Sequence, residues 1–397
     1  MKAVVLAAGE GRRLYPFTDD RPKVMLPIAN RPIMEYVIEA LAANNIRDIV
    51  VVTGYKEETV RNYFGDGRAW KVNLTYVTQE KQIGTGHALL QAASSIDGPF
   101  LALAGDNIVD AQSLSALIDS QQDTAVLIEE SSSPSKYGVV QLRQGRITAI
   151  VEKPPQAETN LISTGIYRFQ PSIFSRIEDL LQEGKPHLTD VVCQQAQDGE
   201  QVGAATGTGT WMDVVYPWDM LQVNAQALRA AAPRRAGTLE DPVTIRGNVR
   251  IGDHTVIRSG SYIVGPAVIG EGCEIGPHVC IFPGTSIGDN VVIYPYTDVR
   301  FSVVMAGVTI GSHTHVSHSV IGAGTAMGSH FTARHGTGFM EVENVLHTVG
   351  DAGVFIGDDC TVDDQVTVEP AVAIGHRSHL GSGAVVRKTL PPESNVM

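Results

Sequence analysis

The sequence predicts an α/β domain followed by a parallel β-helix built from six-residue repeats. Three observations carry this reading. An apolar run, Ala3-Val4-Val5-Leu6-Ala7-Ala8, empties into Gly9-Glu10-Gly11-Arg12-Arg13-Leu14; strand-like and helix-like segments alternate up to about Gln201; and from Ile245 onward an apolar residue recurs at every sixth position.

The opening run is continuous rather than alternating, which suits a strand buried on both faces of a parallel sheet. The two glycines after it allow a tight turn and close approach to a ligand. Next, "IMEYVIEALAANNI" has helical apolar spacing, "DIVVVTGY" reads as a strand, "KEETVRNYF" as a helix and "PFLALAGDN" as a further strand. This alternation predicts a largely parallel sheet. Ligands in such sheets sit beyond the carboxyl ends of the strands, where Gly9, Gly11 and Asp106 fall. A helix from about Pro217 closes this half, giving a domain over residues 1–232. Residues 233–242, with their prolines, arginines and glycine, read as a linker.

The second domain, 243–397, changes texture completely. Ile245, Ile251, Ile257, Ile263, Ile269, Ile275, Ile281, Ile287, Ile293, Val299 and Met305 keep a period of six, and Ile356, Val362, Val368, Ile374, Leu380 and Val386 resume it. Such hexads mark a β-helix, each apolar residue pointing into the core of a coil. The register slips after Met305, where the next apolar position, Ile310, comes five residues later, and "RHGTGFMEVENVLHTVGDAG" has no clean period. Segments thrown out from a solenoid often form its binding face.

Composition excludes several function classes. A net charge of −13 over 397 residues argues against nucleic acid or an anionic membrane as a partner, since either requires a basic face. Cys193, Cys273, Cys280 and Cys360 lack metal-site or disulfide-framework spacing, so reduced cytoplasmic thiols are expected. Met1 leads directly into a strand and no apolar run is long enough to cross a bilayer, so neither a signal peptide nor a membrane span is expected.

Arg13 and Lys23 bring cations to the edge where the first loop lies, and loop amides together with fixed cations can bind phosphate. A short Gly-x-Gly with solvated arginines also fits an ordinary strand-to-helix connection. No Lys-Ser or Lys-Thr follows the second glycine, as a phosphate-binding Walker loop requires, and the third glycine of a dinucleotide fingerprint is missing. However, "LAAGEGRRLYPFT" and "RPKVMLPIANRPIMEY" together closely resemble the signature of the sugar-1-phosphate nucleotidyltransferases. With the hexads, the whole chain resembles the family of bifunctional N-acetylglucosamine-1-phosphate uridylyltransferases and glucosamine-1-phosphate acetyltransferases, particularly its archaeal members. The resemblance implies a Rossmann-like nucleotidyltransferase domain, a left-handed β-helix, and a homotrimer formed through that β-helix.

It also implies a reaction, in which a sugar-1-phosphate oxygen attacks the α-phosphorus of UTP or dTTP and releases pyrophosphate. No protein nucleophile is needed, so catalysis rests on positioning and charge neutralisation by Mg²⁺ and fixed cations. On this basis Arg13 and Lys23 are the catalytic cations. Asp106 and Asp213 hold Mg²⁺, although related uridylyltransferases can place asparagine at the second position, and either residue alone also fits a cap or loop role. Leu6, Ala8, Gly9, Gly11, Gln79, Gly84 and Thr85 meet the nucleotide. Gln79 carries the donor and acceptor that read a uracil or thymine edge. Gly138, Glu152, Lys153 and Ser163 meet the sugar phosphate. Family members that act on N-acetylglucosamine-1-phosphate often carry Asn where this chain has Ser163, which leaves glucose-1-phosphate as an equal alternative.

In the β-helix the resemblance implies acetyl-CoA as co-substrate and a histidine as base. Aligned on "SVIGAG", the base position reads Gly311-Ser312-His313, so the histidine is either lost to Ser312 or displaced by one residue to His313, the candidate base. His313, His315 and His318 also invite a metal reading, but their spacing is not a recognised zinc pattern and surface histidines at coil corners explain them more simply. The main reading is therefore a Mg²⁺-dependent nucleotidyltransferase with a trimerising β-helix, and two rivals remain: a fully bifunctional enzyme that also transfers acetyl in the β-helix, and a non-catalytic regulatory subunit. The presence of Arg13, Lys23, Asp106 and Lys153 disfavours the latter.

Overall fold

The computed structural model describes residues 1–397 and divides into two compact units. The first comprises residues 1–10, 22–25 and 33–213; the second comprises 11–21, 26–32 and 214–397.

The first unit is built on a nine-stranded sheet. Lys2–Ala7 lies near its middle, paired in parallel with Asp48–Thr53 on one side and Phe100–Ala104 on the other. Val4 and Val5 are wholly buried, one in each of the two apolar layers that sandwich the sheet, which is why this strand reads as an unbroken apolar run. The expectation of a largely parallel sheet requires correction. Leu161–Phe169 runs antiparallel to both Phe100–Ala104 and Thr124–Glu130, and Gly138–Arg143 and Arg146–Glu152 form an antiparallel pair at the far edge. A short connection such as Gln144-Gly145, with both residues at positive φ, makes a hairpin and cannot make the long crossover a parallel pair requires.

The second unit is a left-handed parallel β-helix whose three faces are sheets of eight, nine and eight short strands. Each rung stacks an apolar side chain on its counterpart one coil away, as in Ile251, Ile269 and Ile287. All three are buried, and burying each such side chain contributes about 1.5–3 kcal/mol. The hexads therefore specify the core directly.

Three expectations change here. The stretch 233–242 is not a free linker: Arg234–Arg235 and Thr238–Leu239 already pair with the next coil. Met305 is not the rung residue, because Val304 pairs with Ile287; the five-residue step lies between Val299 and Val304, where the corner at Phe301-Ser302 is turned with one residue fewer. A second five-residue step runs from Val316 to Ile321. Finally, the aperiodic stretch is an antiparallel hairpin, Gly336–Val342 with Val345–Ala352, inserted between coils that otherwise keep their ladder.

The helix Asp219–Ala230 also belongs to this second unit, so the compact units divide at Asp213 rather than near residue 232. Leu228 packs with Ala29 and Val268, and the Asn224 side chain donates to Gly284 O and accepts from Ala29 N and Ser286 Oγ. No helix is long and apolar enough to cross a membrane.

Candidate active site

In the first unit, the carboxyl ends of adjacent parallel strands bring Gly9 and Asp106 to one edge of the sheet. Leu6 O accepts from Gly105 N at 2.8 Å and Ala8 O accepts from Tyr55 N at 3.1 Å, so both carbonyls serve the fold. A Cβ placed on Gly9 would meet nothing within 4 Å, which leaves the backbone there open to a ligand.

Asp106 and Asp213 are distant in sequence, and a two-stranded ribbon joins them. Asn107–Val109 pairs antiparallel with Trp211–Asp213, placing Asp213 opposite Asn107. Asp110 fixes the base of the ribbon: one carboxylate oxygen caps the helix Ala111–Ile118 through Ser113 N, and the other accepts from Thr210 N at 2.7 Å. Lys23, delivered by a short 3₁₀ turn, puts its Nζ 2.6 Å from Asp106 Oδ2 and 3.1 Å from Asp213 Oδ1. Burial pulls the Lys23 ammonium toward neutrality, but the Asp106 and Asp213 charges outweigh it and hold the pKa above the usual lysine value. Two carboxylates thus converge on a single cationic position.

Gln79 is buried, and its amide nitrogen lies 3.2 Å from Gly84 O and 2.9 Å from His87 Nδ1. These contacts close the loop from Gln79 to the helix Thr85–Leu90. A Cβ on Gly84 would stand 2.6 Å from Pro186 O, so the close approach that requires this glycine is to the protein's own backbone. Thr85 does not cap its helix; its hydroxyl accepts from Leu188 N at 3.0 Å.

The sugar-side residues converge by strand register. Gly138 lies opposite Glu152 on one side and Ser163 on the other. A Cβ on Gly138 would come within 2.8 Å of Ile150 Cγ2 and 3.2 Å of Glu152 Oε2, so glycine keeps this point clear. Lys153, with φ 43°, leaves the strand there, and its Nζ lies 3.3 Å from Glu152 Oε1. Ser163 is buried beside Tyr167, whose hydroxyl is pushed up to about 12 by burial.

Gly11 and Arg13 belong to the second unit. Gly11 has φ 77°, a left-handed conformation that glycine adopts without strain, and the turn Arg12–Leu14 follows. The segment is anchored on the β-helix. Tyr15 Oη donates to Leu390 O at 3.0 Å, Asp19 meets His376 Nδ1 at 2.9 Å, Arg377 reaches Asp20 at 3.2 Å, and Arg21 pairs with the buried Asp358. Arg13 Nε lies 2.6 Å from Glu343 Oε2 at the tip of the inserted hairpin. Glu343 escaped sequence reasoning, because the Glu-Asn pair of "VENV" is not one of the dipeptides that mark a two-residue hairpin.

His313 is exposed at a coil corner with φ 56°, stacked between Tyr296 and His330 at 5.0 and 5.1 Å. His318 belongs to a separate stack with Phe301 and His335, and His315 meets Asp298 at 2.7 Å. The three histidines therefore do not converge, and no group of three or more His, Cys, Asp or Glu side chains forms a metal cluster.

Comparison with known proteins agrees with this architecture. Residues 2–230 match the Nucleotidyl transferase family model, 263–345 match the GMPPB C-terminal domain, and 353–388 match the bacterial transferase hexapeptide repeats. The "Bifunctional protein GlmU" of Methanococcus vannielii is 33% identical over 100% of this chain and 97% of its own length. A "Bifunctional sugar-1-phosphate nucleotidylyltransferase/acetyltransferase" of Sulfurisphaera tokodaii is 34% identical over 98% of each chain. The GlmU of Methanococcus maripaludis is 37% identical over 66% of this chain, a match spanning 62% of that protein's length. Among solved structures, one described as a glucose-1-phosphate thymidylyltransferase from Bacillus anthracis in complex with sucrose aligns with a TM-score of 0.54 at 27% identity, over 59% of this chain and 98% of that one. The chain therefore belongs to the nucleotidyl transferase family, in the form that joins this domain to a hexapeptide β-helix.

Proposed function

We propose that the protein joins a sugar-1-phosphate to UTP or dTTP, forming a nucleoside-diphosphate sugar and pyrophosphate in a Mg²⁺-dependent reaction. The observation that carries this reading is the convergence of Asp106 and Asp213 on one cation, Lys23 Nζ, inside a domain of this family. A phosphate oxygen of the sugar-1-phosphate attacks the α-phosphorus. The new P–O bond forms as the bond to the β-phosphate bridging oxygen breaks, and pyrophosphate leaves with the electron pair.

Asp106 and Asp213 would hold Mg²⁺, and their donor set fits, since this ion typically takes one or two carboxylates with substrate phosphates completing its shell. Bound there, the ion would neutralise charge on the triphosphate. Lys23 and Arg13 supply fixed positive charge to the phosphates, worth most where charge peaks in the transition state. Lys153 holds the sugar phosphate, and Glu152 accepts hydrogen bonds from sugar hydroxyls at the point that Gly138 keeps clear. Leu6, Ala8, Gly9 and Gly11 form the nucleotide loop. Gln79, Gly84 and Thr85 shape the base pocket through the loop contacts described above.

Acetyl transfer from acetyl-CoA to an amino sugar phosphate in the β-helix is the second activity we propose, supported by the hexapeptide match and by relatives named for both reactions. His313 is the proposed base, and a homotrimer through the β-helix the proposed assembly. The four free cysteines are in keeping with a reducing, cytoplasmic setting. Pyrophosphate release across four nucleoside triphosphates and several sugar-1-phosphates tests the first activity. Release above background only with UTP or dTTP is expected, and none with any pair would overturn it.

A further inference from the structure

The hairpin inserted into the β-helix pairs Val342 with Val345, so its tip is Glu343-Asn344, with φ values of 51° and 64°. Two successive positive φ values make a type I′ turn, whose preferred residues are Asn, Asp and Gly. A glutamate at the first position works against this preference. A side chain held at an unfavourable backbone position points to a role for the side chain itself.

That role lies at Arg13. Glu343 Oε2 accepts from Arg13 Nε at 2.6 Å. The contact engages Nε, so the two Nη groups of the guanidinium remain free to meet an anion. The stem of the hairpin is held independently. The His347 ring lies 4.8 Å from Tyr216 and 5.6 Å from Trp218, and those two rings stack on each other at 4.6 Å. The carboxylate is therefore delivered from a fixed stem to an otherwise long and mobile side chain. Both partners are partly exposed, at 35% and 50%, and exposed pairs contribute little to stability. The effect of this pair belongs in turnover rather than in folding.

We propose that Glu343 is a positioning residue for nucleotidyl transfer, orienting the Arg13 guanidinium so that its Nη edge faces the substrate phosphates. This rests on the reading of Arg13 as a catalytic cation.

The test uses the full-length protein and Glu343→Asn, a residue that suits the turn, so the melting temperature should hold or rise. We expect kcat for pyrophosphate release to fall about tenfold with the nucleotide KM within about twofold, the pattern of a misaligned transition-state contact. Glu343→Gln, which keeps an acceptor of the same reach, should recover part of the loss. Arg13→Ala combined with Glu343→Asn should be no slower than Arg13→Ala alone, because nothing remains to be positioned. A slow Arg13→Ala beside a full-speed or faster Glu343→Asn would overturn the proposal while leaving the catalytic reading of Arg13 intact. Arg13→Ala at the wild-type rate would overturn both.

Discussion

Lys23 Nζ stands 2.6 Å from Asp106 Oδ2, on a position that Asp213 also reaches. Asp213 continues to neutralise the ammonium if Asp106 is changed, so Asp106→Asn should fold. It should nonetheless lower turnover by roughly two orders of magnitude, the scale of losing one electrostatic contact to the transition state. Steady-state pyrophosphate release with a melting curve on the same sample checks this, and near-normal turnover would remove Asp106 from the essential set.

Anchoring of Gly11–Arg21 on the β-helix makes a second expectation. A chain cut after Ala232 loses Asp358, His376 and Leu390, the partners of Arg21, Asp19 and Tyr15. Sedimentation should find it monomeric and the full chain trimeric, and its kcat should be at least about tenfold lower through loss of positioning. Retention of full activity would show that the segment does not need this support.

Proton linkage gives a third. The His318 pKa is held down to about 4, first by burial and then by its neighbour His335, with Arg300 adding to the effect and Asp351 opposing it. As pH falls below about 6.5 the unfolded chain takes up a proton that the folded chain refuses, so stability declines until about pH 4 and then levels. Thermal melts from pH 7.5 to 4.5 should show this decline. In His318→Asn, whose side chain tolerates the corner's φ of 49°, the slope should be shallower.

Acetyl transfer supplies the fourth. If His313 is the base, His313→Ala should abolish CoA release with glucosamine-1-phosphate while pyrophosphate release is unchanged. A wild-type protein that forms no free CoA under conditions where the first activity proceeds would leave the β-helix as an assembly module.

The legible parts of the chain are those where one local pattern has one physical outcome. The unbroken run to Ala8 could only be a central strand, and the isoleucines six apart could only line a solenoid. Convergence of Gly138, Glu152 and Ser163 was accessible as a list but not as a geometry, because strand register places them and register is a non-local property. Met305 misled because a corner can lose a residue with no change in the apolar count. Arg13 was assigned by its motif, yet its partner lies 330 residues away in a hairpin whose stretch carries no clean hexad period. Gly84 stands out in its motif, but the Pro186 carbonyl that a Cβ there would meet is about a hundred residues away and is placed only by the tertiary fold.

The hairpin leaves the solenoid after Ala333 and returns by Phe355, with Gly336 and Ala352 paired at its neck. Entry and exit are thus one strand spacing apart, about 5 Å, and the ladder above and below closes as though nothing intervened. A loop held this way can lengthen, shorten or change its tip at small entropic cost, since closure depends only weakly on loop length. The coils are constrained by stacking on every side, but the residue presented to Arg13 is not. Descendants of one ancestral solenoid could therefore diverge in what they present to Arg13 by exchanging a few residues at the hairpin's tip, without altering a single rung of the core.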